Sequence, residues 1–177
     1  MQANHGRRER LRINGVPVGE RIGAAEVPLP ELPARYEPGS GSIIVIVATD
    51  APLLPHQCTR VAQRSALAVS RLGGSGEQYS GGDLMLAFST GNRGIPPYAW
   101  DENTATSRPE IPLRMVAPQL MTRLFDLTIE ATEEAIVNAM VAATTMTGRN
   151  GFTVHALDHD LLRHALSPTA RTLQEIP

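Results

Sequence analysis

The sequence predicts a layered α/β fold, and three observations carry that expectation. Ile43-Ile44-Val45-Ile46-Val47 is an unbroken β-branched run, whose stiff side chains suit a strand, and its lack of alternation predicts burial on both faces. Residues 54–72 and 117–146 space their apolar side chains at three- and four-residue intervals, as amphipathic helices do. Asp83-Leu84-Met85-Leu86-Ala87-Phe88-Ser89-Thr90 is a second short apolar run with polar ends, hence a second buried strand. Periodicity establishes α plus β; the order of layers needs other evidence.

The chain of 177 residues suits one domain, able to bury about 70% of its unfolded surface. A net charge of −2 and an aromatic content of 4% exclude the basic, stacking-rich surface that nucleic acids require. Small-molecule or peptide chemistry fits better. The single cysteine, Cys58, excludes an intrachain disulfide and a cysteine-built zinc site, and reads as a small buried hydrophobe. No run approaches the roughly 18 apolar residues of a membrane span, and residues 1–20 are charged rather than signal-like. The expectation is a soluble, cytoplasmic chain.

Residues 1–22 read as a strand followed by a hairpin, with Asn14-Gly15 at the turn because both central positions of a type I′ turn need positive φ. Pro17 confines the second hairpin strand to an edge or to its own first residue. Between Gly23 and Gly41 the composition shifts to Pro, Glu, Ala and Gly, with Pro28, Pro30, Pro33 and Pro38 too close together for a ladder or a helix. This is a solvated linker. It ends at Gly41-Ser42, where the buried strand begins, so the hydroxyl of Ser42 is mounted on the first residue of a rigid element. Most serines at such junctions merely close a turn.

Thr49-Asp50-Ala51-Pro52 supplies turn chemistry, with Asp50 read as a helix cap and His56 as a surface residue in the first turn of the helix that follows. Gly73-Gly74-Ser75-Gly76 ends that helix. The glycine-rich loop leading to Gly82 lacks the Gly-Lys-Ser/Thr ending of a phosphate cradle, which excludes nucleotide binding by that motif. Residues 91–112 form a loop, with Tyr98 and Trp100, that either lines a pocket or simply packs. In the helix over 117–146, Glu130, Glu133 and Glu134 form a solvated face and Gly148 is the C-terminal signal. Residues 151–156 suggest a short strand, and Asp158 caps a last helix to about Leu166. His155, His159 and His164 do not have the i, i+4 pair plus glutamate of a helical zinc site, and no metal or cofactor is expected.

Residues 41–56, from Gly41-Ser42-Ile43 to Leu54-Pro55-His56, together with Ala87-Phe88-Ser89-Thr90-Gly91-Asn92, resemble the L-aminopeptidase D-amidase/D-esterases and β-peptidyl aminopeptidases, the DmpA-like family. The resemblance runs from Met1 to about Leu166. It implies an α-β-β-α sandwich and a precursor that cuts itself at Gly41-Ser42, leaving 1–41 and 42–177 as two parts with Ser42 as an amino-terminal nucleophile. Asn4, in Ala3-Asn4-His5-Gly6, is implied as an oxyanion donor. Ser80 and Asp83 are implied as the serine and carboxylate that orient the nucleophile, although Ser80-Gly81-Gly82-Asp83 has one residue more between them than the family pattern. Asn92 is expected to support the site. The implied substrates are short peptides or amino-acid amides and esters, and the implied assembly a homo-oligomer. The resemblance also implies that most of the family's amino-terminal segment is not in this chain, so a periplasmic location follows if a signal peptide precedes Met1. The alternative is a catalytically defective fragment acting as an assembly or binding subunit.

Overall fold

The structure, a computed structural model, describes residues 2–29, 41–74, 82–95 and 110–167. Its centre is a three-stranded sheet of β1 (Gln2–Asn4), β2 (Ser42–Thr49) and β3 (Gly82–Ser89), in that order. β1 runs antiparallel to β2 with Asn4 opposite Ser42. β2 and β3 are parallel, with Ser42 opposite Gly82 and Thr49 opposite Ser89. A parallel pair needs a crossover, and α2 (Pro55–Arg71) supplies it, following the short α1 (Val18–Arg21) in the chain.

Alternation along β2 decides which side chains meet the helices. Ile43 and Val45 are buried, at 0% and 4% exposure, whereas Ile44 and Ile46 are 40% and 54% exposed. On β3 the open face carries Leu84, Leu86 and Phe88, while Met85 and Ala87 are half-buried on the helix side. The expectation of two-sided burial is therefore corrected: among the described residues the helices pack on one face of the sheet, and the β-branched run faces apolar neighbours on that side only.

α2 buries Val61, Ala62, Ala68 and Val69. Against it packs α3 (Met121–Ala142), entered through a 3-10 turn at Pro118–Leu120. The α2–α3 seam carries small polar groups: Thr132 Oγ1 donates to Thr128 O at 2.7 Å and lies 3.5 Å from Ser65 Oγ, and among the described residues no buried side-chain hydroxyl is without a partner. On the rim, Arg60 and Arg64 stack over Phe125, and Arg71 pairs with Glu133 at 3.0 Å. Glu133 is thus an ion-pair partner rather than part of a purely solvated face.

α3 stops at Ala142, where Ala143 turns to extended backbone, and not at Gly148. A two-residue ladder follows, β4 (Met146–Thr147) against β5 (Thr153–Val154), and the chain closes with α4 (His159–Leu166). Asp158 caps α4 as expected, its Oδ1 accepting from the Asp160 and Leu161 amides. Asn14 and Gly15 take φ of +50° and +75°, the turn that was expected, but the hairpin beside it is reduced to a single bridge between Ile13 and Val16. Pro17 ends it by leading straight into α1.

Asp50 does not cap α2. Leu54 holds the N-cap position, and its amide donates to Gln57 Oε1 at 3.2 Å. Part of the Pro-rich segment is also packed: Val27 is buried, and the Arg8 guanidinium donates to the carbonyl oxygens of Gly23 and Val27 at 3.1 and 2.5 Å. No helix among the described residues is long and apolar enough to cross a membrane.

Candidate active site

Three of the residues singled out in the sequence, Ser42, Asn4 and Asp83, lie at the end of the sheet where β2 begins. Ser42 is the first residue of β2, exposed, and its Oγ accepts a hydrogen bond from the Gly82 amide at 3.1 Å. That bond uses an oxygen lone pair and leaves the hydroxyl proton available to a base. Asn4 faces Ser42 across the antiparallel pair, so both side chains lie on the same face of the sheet, the open one. Both are exposed.

The next pair along the sheet occupies the reverse face. Asp83 is in register with fully buried Ile43, and His5 follows Asn4 at the end of β1, so both belong to the helix side of the sheet. Burial pushes the His5 imidazole below its ordinary pKa, and the nearby Asp83 carboxylate opposes that shift. The chain just past α2 closes over the His5 ring: a Cβ at Gly74 would lie 2.9 Å from His5 Cδ2 and Nε2 and 2.5 Å from Val69 Cγ1. Only a residue without a side chain fits between helix and ring.

The two faces therefore share one strand end but present different chemistry. On the open face stand a hydroxyl, a side-chain amide and a backbone N–H; on the reverse face stand a carboxylate and an imidazole. His5 was missed from the sequence because one histidine beside a glycine carries no spacing signal. Its place emerges only from the pairing of β1 with β2.

Asn92 is not part of this cluster. It follows β3, a strand parallel to β2 whose seven steps of about 3.3 Å put its last residue, Ser89, roughly 23 Å from Gly82 and so at the opposite end of the sheet from Ser42. There its side chain donates to Arg114 O at 3.0 Å and accepts from Arg114 N at 2.8 Å, tying down the segment before α3. Ser80 lies outside the described residues, as do Tyr98 and Trp100. Cys58 is half-buried, and burial raises its thiol pKa, which keeps it in the less reactive protonated form. Among the described residues no three His, Cys, Asp or Glu gather as a metal site would require.

Grooves of about 500, 670 and 210 Å³ lie away from Ser42. The largest runs between α2 and the edge of β3 and is lined by Cys58, Ala62, Met85 and Phe88. None of the three includes Ser42 or Asn4, so the chemistry of the strand end stands on an open surface rather than in one of these hollows.

Solved structures share this layering of helices on a sheet. A Burkholderia sp. beta-aminopeptidase superposes with a TM-score of 0.76 at 41% identity, over 99% of this chain and 44% of its own. The L-aminopeptidase D-Ala-esterase/amidase of Ochrobactrum anthropi, described as a variant of the Ntn hydrolase fold, gives 0.70 at 32%, over 95% and 42%.

The family described as Peptidase family S58 matches residues 1–154, and the chain belongs to it. Two curated relatives are β-peptidyl aminopeptidases named BapA. That of Sphingosinicella microcystinivorans is 39% identical over 180 residues, covering 97% of this chain and 43% of the relative. That of Sphingosinicella xenopeptidilytica is 39% identical over 172 residues, covering 92% and 40%. The chain thus spans less than half the length of these relatives.

Proposed function

We propose that this chain carries the catalytic strand of a serine aminopeptidase that acts on amino-terminal amide or ester bonds of short peptides and amino-acid derivatives. The observation that carries the reading is the juxtaposition of Ser42, Asn4 and the Gly82 amide at one strand end. Membership of a peptidase family and the aminopeptidase names of the relatives support it.

In the proposed maturation, Ser42 Oγ attacks the Gly41 carbonyl carbon, the C–N bond breaks, and the Oγ proton ends on the freed Ser42 nitrogen. The resulting ester is hydrolysed by water, which releases the Gly41 carboxylate and leaves Ser42 with a free α-amine. That amine, with a reference pKa of about 8, is partly neutral near pH 7 and accepts the proton of its own hydroxyl in each later turnover.

The substrate's first residue is transferred to Oγ as an ester, the leaving amine takes the proton, and water completes the cycle. Asn4 Nδ2 is assigned the donor role to the oxygen that becomes negative in each tetrahedral intermediate, an interaction worth about 3 kcal/mol in comparable sites. Asp83, with Ser80 in the loop before it, is proposed to hold the new amine from behind the strand.

Mass spectrometry of the purified full chain tests this directly. The expected result is two fragments, one beginning at Ser42, with hydrolysis of an aminoacyl p-nitroanilide by the cut protein. Ser42→Ala should remain intact and inactive; activity that survives that change places the nucleophile elsewhere.

A second reading draws on the open apolar face of Ile44, Ile46, Leu84, Leu86 and Phe88. In it the chain serves as one layer of an assembly, homo-oligomeric or with another subunit, without turnover of its own. Size-exclusion chromatography with the same assay separates the two: an oligomer that is cut and active supports the enzyme, and an inert uncut species supports the layer.

A further inference from the structure

The backbone before Ser42 departs from an ordinary ladder. In a regular strand each Cα–Cβ bond stands off the sheet face, so a side chain does not meet the backbone of the adjacent strand. A Cβ built at Gly41 would lie 2.3 Å from the Asn4 carbonyl oxygen, 3.1 Å from its carbon and 2.9 Å from His5 Cα. All three are backbone atoms.

These atoms have little freedom to retreat. β1 is three residues long and is held to β2 by the pairs at Gln2, Ala3 and Asn4. Behind it, the His5 ring already lies where no Cβ fits at Gly74, with Val69 beside it. Relieving a 2.3 Å contact with an oxygen requires a shift on the order of 1 Å, since ordinary carbon contacts begin near 3.5 Å. The shift would fall on Asn4, the residue opposite Ser42.

We propose that Gly41 is a specificity-determining residue for scission of its own bond to Ser42, because the Asn4–His5 backbone closes over its α-carbon and excludes any residue carrying an L side chain there. The proposal rests on Ser42 as the attacking group and deepens that reading. It assigns the backbone of Asn4 a role distinct from its side chain. The side chain stands toward the developing oxyanion, while the carbonyl and the following Cα form the wall against which the acyl residue must lie. A bulky residue at position 41 pushes wall and amide away from the hydroxyl together.

The test compares the wild-type chain with Gly41→Ala and Gly41→Val, following the fragment that begins at Ser42 by mass spectrometry. Scission should slow at least tenfold in Gly41→Ala and further in Gly41→Val, with thermal melting confirming that both variants fold. Scission of Gly41→Ala at the wild-type rate overturns the proposal. A second arm uses the Ser42→Ala background, where no attack through this hydroxyl is possible. Adding Gly41→Ala there should raise hydrogen exchange of the β1 amides at least tenfold and leave α2 unchanged, whereas unchanged β1 exchange overturns the proposed contact. A wild-type chain that stays uncut while β1 exchange rises as expected removes Ser42 as nucleophile yet retains the steric wall, so the two failures are distinguishable.

Discussion

The two ends of the central sheet are built from the same residue types and do opposite things. At the far end, Ser89 Oγ donates to Ala51 O and accepts from Leu53 N and Gly91 N at 3.3 and 3.1 Å, so its hydrogen-bonding capacity is used up. Asn92 there makes both its bonds to the Arg114 backbone. At the near end, Ser42 Oγ has the Gly82 amide as its partner among the described residues, and Asn4 stands exposed beside it. A serine and an asparagine whose valences are consumed by backbone are structural. The same pair left with a free proton and a free amide donor is the pair to which the proposed function assigns the chemistry.

The strongest way to break this contrast is at Asn4. Asn4→Ala should lower the rate of scission and of p-nitroanilide hydrolysis by about 10²–10³, with little change in thermal stability. A loss of stability in place of rate would make the two ends alike.

Ser89→Ala tests the other end. It leaves two backbone donors and an acceptor short of a partner, which should cost roughly 1–3 kcal/mol in denaturant unfolding, while Gly41-Ser42 scission proceeds at the wild-type rate under native conditions. Asn92→Ala is the milder version. Its two backbone bonds are near the surface, and about 1 kcal/mol of stability is expected to go with them, again without effect on activity.

The smallest effect belongs to His5, behind the near end. Its folded pKa is depressed by burial, with Asp83 partly compensating. The unfolded chain therefore binds a proton more readily, so the packing of neutral His5 contributes fully above the unfolded value near 6.5 and is lost as pH falls through the lower folded value. Unfolding free energy measured against pH should decline in that window. His5→Phe should flatten the decline, and an unchanged slope would exclude His5 as its source.

How much of this was legible beforehand follows a physical line. The start of β2 at Ser42, the span of α2, the Asp158 cap and the φ values at Asn14-Gly15 were all readable, because each depends on residues within a turn or two. Gln57 shows what periodicity does not carry, since a glutamine among arginines in α2 has the composition of an outward, polar face. It is 3% exposed, and its Nε2 donates to Val116 O at 2.8 Å, a partner that arrives only with the α3 segment. Asn92 was misplaced because adjacency to a strand does not say which end of the sheet the strand has reached. The distribution of His5 and Asp83 on one face and Ser42 and Asn4 on the other follows from register, and a shift of one residue would exchange them.

The sequence by itself determined where β2, β3 and α2 run, which serine begins β2, and that a glycine precedes it. Those are matters of rotamer, capping and periodicity, written over short stretches of chain. Tertiary structure alone decided that Asn4 lies opposite Ser42, that the Gly82 amide holds the hydroxyl, and that the Asn4–His5 backbone closes on Gly41. Each of these joins segments far apart in the chain, and such contacts are set by which strands pair and in what register, a choice that no local preference encodes.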